Sequence, residues 1–119
     1  MRSRKAVVKE LDRVFGDYIK ARDKRCVVCG STDRPQCGHL FSRIAYSTRW
    51  NPMNAYQQCA GCNFRHESDF MPLLDYANRT HGTAKIRALH RLYETPVQYK
   101  TFQLEEMIRY WREQGKEVT

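Results

Sequence analysis

The sequence predicts an α+β domain: a leading helix, a small zinc-bound ββα core, and two or three trailing helices. Three observations point there. Two Cys-x-x-Cys pairs, Cys26/Cys29 and Cys59/Cys62, are separated by 29 residues. Apolar residues recur at three- and four-residue steps before the first pair and after the second. From Asp33 to Trp50 no helical period is present, and Pro35 and Gly38, with Pro52 just beyond, mark a hairpin or loop. At 119 residues and 14.1 kDa the chain has room for one domain, read as 1–119. Its parts are a basic helix over 1–25, the zinc-bound core over 26–78, and helices over 79–119. Folds needing roughly 200 residues, such as a TIM barrel, are excluded.

In the leading helix Val7, Leu11, Val14, Phe15, Tyr18 and Ile19 form one apolar face, and Lys5, Lys9, Arg13 and Lys20 lie opposite. Gly16 sits inside it, an unfavourable residue for a helix interior. A second helix is expected to start at the second Cys pair and run to about Ala77, with Phe70, Leu73, Leu74 and Ala77 inward and Pro72 as a perturbation. Gly82 breaks the chain. Ala84 to Tyr93 reads as a further helix with Ile86, Leu89, Leu92 and Tyr93 apolar, ended by Pro96. Thr101 is placed to cap the last helix, with Glu105 and Glu106 early, Arg109 and Arg112 late, and Met107, Ile108 and Trp111 facing the body.

The cysteines carry the clearest chemistry. Each Cys-x-x-Cys turn aims two thiolates at one centre, and two turns complete the S4 shell that structural Zn2+ prefers. Gly30 after the first pair and Gly61 within the second suit such tight knuckles. A redox motif or four unrelated thiols are the alternatives, and two matched pairs speak against both. A closed zinc site would also stabilise a polar, irregular stretch that has little core of its own, by on the order of 10–16 kcal/mol. Cys37 has no partner pair and reads as a small buried side chain in a strand.

Charge narrows the partner. The chain carries 21 Lys and Arg against 13 Asp and Glu, a net of +8. Residues 1–25 net +5, residues 26–66 net +3, and the remainder is neutral. Such a field concentrates polyanions, nucleic acid being the usual one, with a merely solvated basic surface as the alternative. No apolar run approaches the roughly 18 residues of a membrane span, and Met-Arg-Ser-Arg-Lys at the start has no signal-like stretch, so a soluble intracellular protein is expected, with no membrane partner.

Between the knuckles lie Gly38-His39-Leu40, then Asn54, then Cys62-Asn63-Phe64-Arg65-His66. A His on a strand, an Asn five residues before the second Cys pair and an Asn directly after it form the pattern of an HNH, or ββα-metal, nuclease site with a treble-clef-like core. Phosphodiester hydrolysis needs a base for water and a divalent cation to stabilise the phosphorane and the leaving oxygen. A hairpin would deliver the imidazole and a helix start the metal ligand, with zinc fixing their separation.

The resemblance extends beyond the motif. Leu11-Asp12-Arg13-Val14-Phe15, Tyr18-Ile19, Arg22-Asp23, Gly38-His39-Leu40-Phe41-Ser42-Arg43, Ser47-Thr48-Arg49-Trp50, Asn54, Gln58-Cys59 and Cys62-Asn63 resemble the phage lambda NinG/Rap-type recombination protein family, and the likeness extends to the last helix near Thr101. It implies an HNH-like endonuclease acting on Holliday junctions and D-loops with Mg2+ or Mn2+, in the cytoplasm of a bacterial host cell. By that resemblance His39 is the general base, Asn54 orients the His-bearing loop, and Asn63 is a ligand of the catalytic cation. His66, one helical turn from Cys62 and Asn63, is a further candidate ligand, with simple exposure as the alternative. Arg43, Arg49 and Arg65 would clamp phosphates, with Ser42 and Ser47 as neutral donors. Trp50 and Tyr56 are aromatic candidates for stacking on an unpaired base, with core packing the favoured alternative; His81 and His90 are read as structural. Many HNH sites carry Asp directly before the His, where this chain has Gly38, and Gln36 stands where the family tends to have Asp. The cation is then left to Asn63, His66, Glu67 or the DNA phosphates. The paired cuts of junction resolution favour a homodimer, for which the apolar face of the last helix is a candidate. The competing reading is a non-catalytic zinc-stapled DNA-binding module, which would share the charge, zinc and aromatics but would not need His39 beside Asn63. A protein-interaction adaptor fits the basic front half poorly.

Overall fold

The computed structural model describes residues 2–118. Helix α1 (Arg4–Asp23) starts where the Ser3 side chain accepts the Ala6 N–H at 3.1 Å, and it stops at Lys24, whose φ of 69° turns the chain out of the helix. Strand β1 (Pro35–His39) follows, then a single turn of helix, α2 (Tyr46–Arg49), then strand β2 (Ala55–Cys59) and the short helix α3 (Ala60–Arg65). Helices α4 (Met71–His81), α5 (Thr83–Tyr93) and α6 (Thr101–Val118) complete the chain. β1 and β2 are antiparallel, with Cys37 opposite Gln57 and His39 opposite Ala55.

A two-stranded sheet is marginal alone, and here it is held between two apolar clusters. On one side α1 and α6 bury Val7, Leu11, Phe15, Ile19, Leu104, Ile108 and Trp111 together with Ala55. On the other, α4 and α5 bury Leu73, Ala77, Ile86 and Leu89 with Leu40 and Tyr56. Side chains alternate along a strand, so consecutive residues Ala55 and Tyr56 serve opposite clusters. The expected apolar face of α1 is the buried one. Cys37 lies in β1 as expected, half-buried against the first cluster.

Three sequence expectations are corrected. The helix expected from the second Cys pair to Ala77 is two helices separated by residues 66–70. Pro72 has no N–H to donate, so a continuous helix would lose a bond there; at the start of α4 that donor is not needed. Phe70 accordingly turns from the core to pack on Phe41 and His66. The hairpin or loop expected over Asp33–Trp50 does hold a strand, β1, paired with β2, and adds the α2 turn. Thr101 does not cap α6: the Lys100 carbonyl accepts from Gln103 and Leu104, and the Gln103 side chain reaches back to the Lys100 N–H at 2.7 Å. No acidic residue lies in that first turn. The apolar face of α6 is covered by α1, so it is not a free dimer surface.

Candidate metal centre and nucleic-acid cleft

The first knuckle follows α1. Gly30, at φ 80°, donates to the Cys26 carbonyl at 2.9 Å, and Val27 donates to Gln57 of β2 at 2.9 Å, which ties the turn to the sheet. The second knuckle joins β2 to α3: Cys59 is the N-cap and its sulfur accepts the Cys62 N–H at 3.4 Å. The four sulfurs lie within 4.8 Å of one another, and those of Cys29 and Cys59 are 3.7 Å apart. A tetrahedron with Zn–S bonds of about 2.3 Å has an edge of about 3.8 Å. Cys26, Cys29, Cys59 and Cys62 are therefore placed to hold a metal such as zinc, and none is in a disulfide. Burial opposes the Cys26 thiolate, but the backbone groups of Cys29, Cys59 and Val28 turned toward the sulfur outweigh it and bring its pKa down to about 7. Burial pushes the Cys37 thiol up to about 12, as befits an inert packed side chain.

Beside the knuckles opens a cleft of about 840 Å3, lined by Arg34, Gln36, His39, Ser42, Arg43, Asn63, Phe64, His66 and Glu67 among others. His39 ends β1. One ring nitrogen, Nε2, is 2.8 Å from the Arg49 carbonyl oxygen. A carbonyl only accepts, so Nε2 carries the proton and Nδ1 keeps the lone pair in the neutral ring. Burial, only partly opposed by that hydrogen bond, lowers the imidazole pKa from its ordinary 6.5. At neutral pH the ring is uncharged, with Nδ1 as its acceptor.

The loop holding that carbonyl is itself fixed. Asp12 of α1 accepts from Arg49 through Nη2 at 2.6 Å and Nε at 3.0 Å, and from Trp50 Nε1 at 2.9 Å. Asn54 is fully buried; its Oδ1 accepts from Phe41 N–H at 2.8 Å and its Nδ2 donates to the carbonyls of Phe41 and Thr48. All its polar capacity is used in bracing residues 41–48, so it positions the loop and does not reach the cleft. Arg22 and Asp23 brace the other side, Arg22 donating to the Pro52 and Ala55 carbonyls and Asp23 accepting from Gln57 N–H.

Across the cleft, Asn63 of α3 donates to Gln36 Oε1 at 2.8 Å, leaving its own Oδ1 free to accept elsewhere. Gly38 explains the missing carboxylate. A Cβ there would lie 2.1 Å from Gln58 Oε1 and 2.8 Å from Asn63 Oδ1, so two amide oxygens converge where a side chain would begin. Gln58 Oε1 is buried without a hydrogen-bond partner. His66 is half-buried rather than simply exposed: its Nε2 meets the Leu40 carbonyl at 3.0 Å, and its Nδ1 is buried and unpartnered. These oxygens, with Glu67 as the carboxylate of the lining, are a weak but chemically apt donor set for a hard cation. Among the described residues the four cysteines form the one cluster of three or more His, Cys, Asp or Glu side chains placed to hold a metal.

The remaining sequence candidates separate. Arg43 is 62% exposed on the cleft wall, loosely paired with Asp12 at 3.4 Å. Ser42 lines the cleft, its Oγ accepting from Ile44 N–H. Arg49, 12% exposed, is locked on Asp12 and is not a free clamp. Arg65 turns to the Cys62 sulfur at 3.4 Å, and Ser47 lies outside the cleft with its Oγ 3.4 Å from the Tyr93 carbonyl. Trp50 and Tyr56 are buried, as core packing predicts. His90 packs at a tilt on Phe41 and His81 on Tyr56, both away from the cleft lining.

The family model described as Bacteriophage Lambda NinG protein matches residues 1–119. The chain belongs to the NinG family. That makes it a phage recombination-related protein with four cysteines able to hold a metal. No curated protein and no solved structure matches it. In this NinG-family chain, the stretches around Asp12 and Arg22-Asp23 that carry the resemblance turn out to brace the His39 loop and the sheet. Asp12, Arg34, Gln58 and Phe64 are the site residues that sequence reasoning passed over. Asp12 stood in the matched stretch and was an available signal; the partnerless state of Gln58 and the exposure of Phe64 are visible only in three dimensions.

Proposed function

We propose that this NinG-family chain is a metal-dependent HNH-type endonuclease that hydrolyses phosphodiester bonds in branched DNA, Holliday junctions and D-loops included. The observation that carries the reading is the tautomer of His39. Its Nε2–H is committed to the Arg49 carbonyl and burial keeps the ring neutral, so Nδ1 can take a proton from water. In this reading water gives that proton to Nδ1 and attacks phosphorus in line, while Arg34 and Arg43 hold neighbouring phosphate oxygens. A Mg2+ or Mn2+ ion held by Asn63, Gln58, His66 or Glu67 together with the DNA phosphate would stabilise the charge on the phosphorane and the leaving oxygen. Two cuts in one junction call for two copies of the chain, and the reaction belongs in the cytoplasm of the infected bacterium.

A second reading, a zinc-stapled module that binds branched DNA without cutting it, is favoured by one observation: among the described residues the cleft side has no carboxylate–histidine cluster for a cation. A labelled four-way junction and its linear counterpart, incubated with Mg2+, Mn2+ or EDTA, separate the two. Cation-dependent nicking of the junction supports the nuclease; binding without nicking under every condition supports the module.

A further inference from the structure

The cleft has an aromatic feature that hydrolysis does not use. Phe64 follows Asn63 on α3 and lines the same cleft, yet it is 77% exposed. The phenylalanine and tryptophan rings of the core, by contrast, pack edge-on or tilted against neighbours, as Phe15 and Trp111 do at 5.0 Å. Singly exposed rings are common, and it is the place of this one, on the cleft wall, that leaves its face open to a ligand. Its surroundings say what. Arg34 and Arg43 stand on the same cleft, exposed and only loosely paired with Asp33 and Asp12. Gln36, Ser42 and Asn63 add polar side chains, and Glu67 is the one acidic residue of the lining. A flat ring among cations and amides suits a ligand with an uncharged aromatic face and an anionic backbone. An unstacked DNA base meets both demands.

We infer that Phe64 is a stacking platform for a base that is unpaired or pried open at a DNA branch point, and that it sets the preference for branched over linear DNA. The inference rests on the DNA-cleaving reading for its ligand but not for its chemistry, since stacking needs neither His39 nor a cation. In a regular duplex both faces of each base are already stacked, so the ring gains little there; at a branch the terminal faces are open. The stacking aromatic is thus not Trp50 or Tyr56, whose rings are in the core.

The test measures binding in EDTA, with the full chain, to a four-way junction and to a linear duplex of the same sequence. Phe64→Ala should weaken junction binding about tenfold, within the range for one base–aromatic stack, and leave duplex binding within twofold. Phe64→Trp should restore junction binding. Because Trp50 and Trp111 are buried, quenching of the new exposed indole on junction addition reports the stack directly. Equal losses on both DNAs, or an unquenched indole, overturn the inference while leaving the nuclease reading intact. A change in sedimentation with Phe64→Ala at unaltered DNA binding overturns it in favour of self-association. Failure of the unaltered chain to bind either DNA overturns both readings. Thermal melting of each variant confirms that the exposed substitution has not unfolded the chain.

Discussion

His39 is the residue on which the proposed chemistry turns, and its environment predicts a pH profile. Its folded pKa lies below the ordinary 6.5 because burial disfavours the imidazolium. A general base works only unprotonated, so cleavage should fall on the acid side, with an inflection below about pH 6.5, and stay flat from there to neutrality. An inflection above pH 7 would show the ring held as the cation, contrary to this geometry. His39→Ala should reduce cleavage by about 10²–10⁴-fold, while junction binding in EDTA persists; cleavage at the original rate would remove the residue from the mechanism. Arg43 and Arg49, alike in sequence, should part company. Arg43→Ala should flatten the dependence of log K on log salt by about 0.9 for a lost duplex phosphate contact. Arg49 is locked on Asp12, so its removal should appear in melting rather than in that slope. If both variants shift the slope equally, Arg49 leaves Asp12 when DNA arrives.

At the scale of elements, α1 is the frame on which the His-bearing loop hangs. Asp12 reaches from it to Arg49 and Trp50, and Arg49 in turn presents the carbonyl that orients His39. Asp12→Ala would strand the half-buried guanidinium and the indole N–H. It should cost about 2–3 kcal/mol in denaturant unfolding and lower cleavage even in the folded protein, with junction affinity in EDTA retained. Full activity in the folded variant would show that the Arg49 carbonyl holds its place without Asp12. Gly16 tests the packing of the same helix on β1. A Cβ at that position would meet Cys37 Cβ at 3.4 Å, an ordinary contact. Gly16→Ala should therefore gain about 0.5–1 kcal/mol from helix propensity, read as a higher denaturation midpoint. A lower midpoint would mean that the sheet and helix already touch as closely as they can.

For the molecule as a whole, the four-cysteine cluster, able to hold a metal such as zinc, joins the segment after α1 to the end of β2 and the start of α3. A structural zinc site contributes on the order of 10–16 kcal/mol of binding free energy, comparable to a typical domain's total stability of about 5–15 kcal/mol. Chelation, or Cys59→Ser, should abolish the cooperative melt of residues around the cleft together with metal content. A metal-replete variant with an unchanged melt would contradict this. The α1–α6 cluster lies on the far side of the sheet, so some helical signal should outlast the metal. Among the described residues no helix is long and apolar enough to cross a membrane.

Short-range pattern determined much of this protein. The thiol spacing located four sulfurs that do converge, because a Cys-x-x-Cys turn is a local geometry that survives any packing. Helical periodicity located α1, α5 and α6, because an amphipathic stripe reports its own burial. The loop-orienting role of Asn54 comes only from the family resemblance; that its amide is buried against Phe41 and Thr48 is a fact of the fold. Tertiary structure alone decided which polar side chains are free. Arg43, Arg49 and Arg65 are one chemical type, yet the cleft takes the first, Asp12 the second and the Cys62 sulfur the third. Charge acts at a distance set by the fold and not by the number of intervening residues, so no reading along the chain could assign them. The same reason hid Phe64, whose exposure depends on where α3 ends and on α4 starting anew beyond it.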